Sequence, residues 1–409
     1  MGKLRALKQY LRVEDALRRE PVTQDSMSVD ASVVSIYADW FSWNTQRPQH
    51  LVNYLSSLGV CTDVFSLRTV RSRRPVLGTP NRVISSCLYP RVLTRLDTVR
   101  DWNASKHQAV LDGFFGSEAD CQIFASTPVM PTWKRRDCVR IYDCLDDHDN
   151  FPWVTGARRT AVAQYERSLG EWADRIWVVS RRLEEKLSPL FGRKIEYIPN
   201  GVDYEHFQRV PQLRPVGPKG RPRLGYIGTL HNWFDAALVR GVADVLKNWR
   251  IVLVGPNFLS SEELRLLGAA NIQYAGRISY DRLPEFMATL DVAMIPFKLT
   301  KLIEATNPVK LYEYLASGVP VVATPMPEVV PFAETGVVVC RETVEGFSDA
   351  VLDLASSHRP ARCQEIAKLH SWAARFEKPF ADIASVRVGA RQKEIGRRNA
   401  PPRFSSRKV

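Results

Sequence analysis

The sequence predicts an α/β chain of two Rossmann-like, doubly wound parallel-sheet domains facing each other across a cleft. Three observations carry this. Short, nearly continuous apolar runs alternate with helical stretches along most of the 409 residues. Strands of that kind are buried on both faces, as in a parallel sheet covered by helices. The alternation comes in two series, separated by the Pro-, Gly- and cation-rich stretch 208–222. The length also exceeds the roughly 100–200 residues of one ordinary domain.

The elements follow in order. VVSIYA (33–38) reads as the first strand and is followed by a helical pattern around Pro48–Leu58. CTDVFSL, RVISSCL, CQIFAS and CVRIYDC read as further strands. A helix from about Gly156 to Trp172 leads into RIWVVS, a helix over 181–190, and IEYIPNGVD. The second series opens with RLGYIGTL (223–230), a helix over 234–246 and WRIVLVGP. IQYAGR, a helix over 281–289, DVAMIPF, a helix from Asn307 to about Ser317, and VPVVAT complete it. The expected organisation is a basic extension (1–28), a first domain (29–207), a linker (208–222), a second domain (223–372), and a crossover helix with a basic tail (373–409).

Composition narrows the class. With 45% hydrophobic and 25% charged residues the chain reads as soluble and globular. No apolar run approaches the roughly 18 residues of a membrane span. The N-terminus lacks the apolar core of a secretory signal, and Ala6 stands where myristoylation requires Ser or Thr. Seven cysteines, an odd number without a CxxC, read as buried reduced thiols in a cytoplasmic protein. The net charge of +13 is concentrated at the ends, with +3 over residues 1–20 and +7 over 386–409. Nucleic acid is therefore not an expected partner. Basic ends suit peripheral contact with an anionic membrane face, and solvated tails have the same composition.

The stretch TNPVKLYEYLASGVPVVATPMPE (306–328) concentrates chemistry. Asn307 is a preferred N-cap, Pro308 suits the first helical position, and Gly318 a stop. Free N–H groups and the dipole make such a helix start an anion site. Lys310 adds a cation there at some cost to the helix, and Glu313 a carboxylate able to accept from two adjacent hydroxyls. A surface Lys310–Glu313 pair is the plainer alternative. Together with Asn307 and Val309 they point to a nucleotide diphosphate. Gly228, after the strand LGYIG, lets a phosphate approach the backbone, and Asn232 is placed to cap the next helix. Arg277 follows IQYAG and is a further candidate for the same cleft.

These residues carry a resemblance. NPVKLYEYLASGVPVVAT (307–324) resembles the donor-binding region of GT-B glycosyltransferases, in particular the teichuronic-acid-type, group 1 branch of bacterial cell-wall and exopolysaccharide synthesis. IPNGVD (198–203) with Phe207, IYADWFSWNTQRPQHL (36–51) and IYDCLDDHDNF (141–151) resemble other segments of these enzymes. The resemblance spans roughly residues 33–330. It implies a nucleotide-sugar donor on the second domain, with Glu313 on the ribose and the amides near Asn307–Val309, with Lys310, on the diphosphate. It implies a first domain on the acceptor side and a C-terminal segment that returns to it after about Trp372. One departure stands out. Many relatives carry two glutamates with seven residues between them; Glu313 matches the second, while Ala305 occupies the first, with Glu304 one position early.

Sugar transfer needs a base for the acceptor hydroxyl. Asp146, Asp147 and His148 follow a strand and are the candidates, a role that contributes roughly 10²–10⁴-fold; capping of the following loop is the plainer alternative. Asp147-His148-Asp149 also spells D-x-D, a divalent-metal motif in single-domain transferases. With two domains expected, no metal and no cofactor are expected, the nucleotide sugar being a co-substrate. Arg47, Gln49 and His50 lie after the first strand on the acceptor side. Arg68, Arg71, Arg73 and Arg74 gather in a loop suited to an acidic acceptor, and Trp40, Phe41, Trp43, Trp102, Trp133 and Trp153 offer rings to sugars or to the core. The expected activity is transfer from a nucleotide diphosphate sugar to a saccharide or glycolipid in surface polysaccharide synthesis. A nucleotide-sugar 2-epimerase and a non-catalytic sugar-nucleotide-binding protein are the alternatives.

Overall fold

The computed structural model describes residues 33–40, 45–69, 80–88, 96–131, 138–213, 220–357 and 359–381. Arg71, Arg73, Arg74, Phe41, Trp43, Trp133 and both basic ends lie outside the described residues. Two parallel sheets form. The first holds β1 (Val33–Ala38), β2 (Cys61–Thr69), β3 (Arg82–Leu88), β4 (Cys121–Ala125), β5 (Val139–Cys144), β6 (Arg175–Val178) and β7 (Ile195–Tyr197), in the order 3-2-1-4-5-6-7. The second holds β8 (Arg223–Ile227), β9 (Arg250–Val254), β10 (Ile272–Gly276), β11 (Val292–Ile295), β12 (Val321–Ala323) and β13 (Val338–Cys340), in the order 10-9-8-11-12-13. Both orders reverse direction beside their first strand, which leaves a crevice at the carboxyl ends. This is the pair of doubly wound sheets expected from the apolar runs.

The two-residue period of β1 sorts its side chains onto opposite faces. Ile36 joins a core with Trp40, Leu51 and Trp177, whereas the adjacent Tyr37 joins one with Phe114, Phe124 and Trp172. All these side chains are nearly solvent-free. One long helix, Asp97–Gly116, escapes the periodic reading. Only Val110, Leu111, Phe114 and Phe115 are buried in it, all near its end, so its apolar stripe is too short to show in the sequence. The helix expected over 234–246 begins at Ala236 and is capped by Asp235, whose carboxylate accepts from the Leu238 N–H. Asn232 is not that cap; its side chain pairs with His231.

The two domains are joined twice. Val202 and Trp372 exchange backbone hydrogen bonds through the His370–Trp372 segment. Residues 372–381 are helical, and Trp372 and Phe376 enter the first domain's core beside Val34 and Ile198. Most of the cysteines are buried. Among the described residues no helix is long and apolar enough to cross a membrane.

Candidate active site

A cleft of about 360 Å³ opens between the carboxyl ends of the two sheets. The second domain supplies most of its wall, from the ends of β8, β9 and β11 and from the start of the helix Val309–Ala316. That helix starts one residue later than the sequence suggests. Pro308 is its N-cap and has no side-chain acceptor to offer. Asn307 is not the cap, because its side chain is committed elsewhere. Its Oδ1 accepts from the Asn200 N–H at 3.2 Å and its Nδ2 donates to Glu328 at 2.8 Å. The helix start therefore presents Asn307–Lys310 to the cleft with backbone amides uncapped by any side chain.

Lys310 lies against the bare backbone at the end of β8. A Cβ on Gly228 would sit 2.9 Å from Lys310 Cε, and Gly228 holds φ at 148°, which a side chain rarely tolerates. At adjacent Gly255 a Cβ would meet the Gly228 carbonyl oxygen at 2.0 Å. At both positions a side chain would collide with protein atoms already packed against the strand ends. The Lys310 ammonium rests 4.5 Å above the Phe297 ring and 5.4 Å from that of Tyr226. No carboxylate pairs with it among the described residues. Burial pushes its pKa down to about 8, with Glu313 partly opposing. Glu313, on the same cleft wall, is pushed up to about 7, by burial and against the pull of Lys310. The pair is thus a cation and a near-neutral acid held apart, not a surface salt bridge.

The first domain supplies Thr45, Gln46, Arg47, Leu145, Asp146, Phe151 and Asn200. Asp146 faces the cleft from the loop after β5, and burial followed by the repulsion of Asp147 pushes it up to about 7. Its two sequence partners do not line the cleft. Asp147 turns away and holds the Lys186 ammonium at 2.7 Å, with the Asn150 amide on its other oxygen. Asp149 and Glu166 close on the same ammonium at 2.6 and 3.0 Å. The D-x-D carboxylates thus already share a cation, so their donor set does not suit a divalent metal. The His148 ring is buried against Phe151 with neither nitrogen hydrogen-bonded, and burial lowers it to about 4. The base role expected of the three residues is therefore open by position only to Asp146.

Arg47 reaches the cleft wall but is spent on structure. Its Nε bonds Asp143 at 2.9 Å, and its Nη1 donates to the carbonyls of Ile198 and Pro199, beneath the Phe376 ring. Gln49 does not line the cleft, contrary to its expected acceptor-side place. It is fully buried, accepting from the Gln46 N–H and donating to the Trp40 carbonyl, as the capping residue of its own helix. His50 is buried between Trp372 and Tyr280. Arg277 is exposed and lines a neighbouring hollow with Ser279 and Arg282, outside the cleft wall itself. No local pattern marks Lys186 or Glu328, whose partners lie 20 to 147 positions away. Phe297 and Tyr280, which also line the cleft, were hidden in apolar patterns.

Residues 221–357 match the family described as glycosyl transferases group 1. The chain is 28% identical over 204 residues to the teichuronic acid biosynthesis glycosyltransferase TuaH of Bacillus subtilis, covering 46% of this chain and 50% of that one. It thus spans about half the length of that relative. It is also 28% identical over 289 residues to the GDP-mannose-dependent alpha-(1-6)-phosphatidylinositol monomannoside mannosyltransferase of Mycolicibacterium smegmatis, covering 64% and 74%. Among solved structures, the sucrose-phosphate synthase of Thermosynechococcus elongatus superposes with a TM-score of 0.65 at 14% identity, over 88% of this chain and all of that one.

Proposed function

We propose, from a chain that has the GT-B fold and whose second domain belongs to the group 1 glycosyl transferases, that this protein is a glycosyltransferase. It moves a sugar from a nucleoside diphosphate sugar to a saccharide or glycolipid acceptor in surface polysaccharide synthesis. One observation carries the reading. A cation without a carboxylate partner among the described residues and a carboxylate from the same helix lie beside glycine backbone on one wall of the cleft, and Asp146 lines the other wall.

The diphosphate sits at the uncapped start of the helix Val309–Ala316, against Gly228, with Lys310 as its counter-charge. Glu313 accepts from the ribose hydroxyls. As the donor bond breaks, charge grows on the leaving diphosphate, and Lys310 with the helix amides stabilises it in place. That positive charge does the work a divalent ion does in other transferases, so transfer is metal-independent. Asp146 takes the acceptor proton, since a carboxyl titrating near 7 is matched to the task. Ala305 is buried against the first domain's core and offers no carboxylate to the donor sugar where many relatives have one. The basic ends hold the protein peripherally at the anionic cytoplasmic face of a membrane, a reading supported by their net charge.

A panel of nucleoside diphosphate sugars, read by thermal shift, tests the donor assignment, because a ligand at 100 times its Kd stabilises by about 2.7 kcal/mol. At least one should raise the Tm, and none doing so would overturn the reading. Incubation of that donor with and without saccharide acceptors separates transfer from epimerisation: an epimer formed from donor alone would replace transferase with epimerase.

A further inference from the structure

We propose that a second saccharide-binding subsite lies outside the cleft, on a strip of aromatic rings that crosses from one domain to the other at the cleft mouth. The inference rests on the glycosyltransferase reading for its choice of ligand.

The strip is built from two stacked pairs. Phe151 and Trp153 of the first domain lie with ring centroids 4.7 Å apart and planes 18° off parallel. His231 and Trp233 of the second domain lie 4.5 Å apart and 16° off parallel. The Trp153 edge meets the His231 ring at 5.5 Å, joining the pairs across the domain gap, and Phe258 extends the strip 5.8 Å beyond His231. Trp153 is 46% exposed and Phe258 59% exposed. Core packing does not account for large rings left open to water in one continuous row, and such a row marks an interaction site.

Two features fix the class of occupant. The inner ring of each pair, Phe151 and Trp233, also lines the cleft. The strip thus begins at the cleft wall and runs out onto the exposed surface at Trp153 and Phe258. Beside it lies a hollow of about 260 Å³ that shares Trp233 and Leu302 with the cleft. Its wall carries Asn150, Asn232, Thr300 and Lys301, from both domains; Asn150 Nδ2 already donates to Asp147, Asn232 Oδ1 pairs with His231 and Thr300 Oγ1 accepts from the Ile303 N–H, so the polar rim rests on Asn150 Oδ1, Asn232 Nδ2 and Lys301 Nζ. A sugar ring has an apolar C–H face and a rim of hydroxyls. It needs an aromatic plane beneath it and amides or hydroxyls at its edge, and both occur here within one patch. A lipid chain would instead desolvate these polar groups without hydrogen-bonding them. The occupant is therefore the part of an oligosaccharide acceptor remote from its reacting hydroxyl, and the enzyme prefers an acceptor of several sugar units to a single sugar.

Saturation-transfer NMR and calorimetry with maltohexaose, cellohexaose and chitohexaose test this on the full-length protein and on Trp153→Ala and Phe258→Ala. Both replaced side chains are exposed, so the variants should fold. At least one hexaose should bind the wild type, its monosaccharide should bind at least tenfold more weakly, and Trp153→Ala should lose at least tenfold in hexaose affinity. Thermal shifts by nucleoside diphosphates should be the same in all three proteins. The subsite is overturned if no hexaose binds, if Trp153→Ala binds as well as wild type, or if phosphatidylcholine vesicles capture the wild type and not Trp153→Ala. Nucleotides that bind while hexaoses do not would sink the subsite alone. Hexaoses that bind through Trp153 while no nucleotide binds would sink the donor reading and leave the subsite standing.

Discussion

In the proposed transfer three side chains set the chemistry, and burial shifts the pKa of each toward neutrality. Burial pushes Lys310 down to about 8, and it lies against aromatic faces and the Gly228 backbone with no paired carboxylate among the described residues, so in the proposed function a bound diphosphate is its partner. Its cationic form is favoured below about pH 8, and an anion binds that form. Affinity for a nucleoside diphosphate should fall as pH rises through 8, and Lys310→Gln should abolish that fall while weakening binding at neutral pH at least tenfold; isothermal titration across pH 6.5 to 9.5 checks this, at about 1.4 kcal/mol per tenfold. The stability of the free protein moves the other way. The folded state binds fewer protons than the unfolded one between about 8 and 10.4, so this group's contribution rises with pH in that window. Asp146 is pushed up to about 7 and must be ionised to accept a proton. Turnover should therefore climb through about pH 7 in the wild type, and Asp146→Asn should lower kcat by roughly 10²–10⁴-fold with nucleotide affinity unchanged. Normal turnover in that variant would remove Asp146 from the chemistry. Glu313→Ala should weaken donor binding at least tenfold by calorimetry, and unchanged affinity would end the ribose assignment.

At the scale of elements, the loop after β5 holds Asp146 in place because the neighbouring helices hold its other side. Lys186, on the helix Arg181–Phe191, gathers Asp147 and Asp149 of the loop and Glu166 of the helix Ala157–Trp172 on one ammonium. Three carboxylates share one cation, so removing it leaves them unpaired and facing one another. Lys186→Met should destabilise the protein by about 3 kcal/mol at pH 7, measured by urea denaturation. The penalty should shrink as pH falls through the carboxylate range, because protonated carboxyls no longer need the cation. Turnover should fall more than nucleotide affinity, since the donor wall is built by the other domain. This element also shows what was legible in the sequence. The cluster Asp146–Asp149 after an apolar run marked the site, but which member faces the cleft was not readable. Asp147 meets its cation 39 positions away, and only the packing of a second helix decides that.

At the scale of the molecule, one carboxylate bridges the two domains beside their backbone connections. Glu328 accepts from the Arg181 N–H and the Tyr197 hydroxyl of the first domain and from the Asn307 amide of the second, each within 2.8 Å. Asn307 in turn receives the Asn200 N–H, and its own carbonyl accepts from Asn200 Nδ2, at the crossing between domains. Glu328→Leu leaves three donors, the Asn307 amide among them buried, without this acceptor. It should lower the Tm and enlarge the radius of gyration in small-angle scattering, and an unchanged profile with full stability would show that the joint does not depend on Glu328. The sequence by itself determined the two sheets, the break between them and the helix bearing Lys310 and Glu313. Those features arise from interactions within a few residues: apolar runs that must be buried on both faces, and a proline and a glycine that bound a helix. Tertiary structure alone decided that Asn307 fastens domains instead of capping a helix, that Asp147 serves the scaffold, and that Asp146 is left to face the cleft. Each of those outcomes depends on which distant partner satisfies a buried polar group, and hydrogen-bond partners tens to hundreds of residues away leave no local pattern to read.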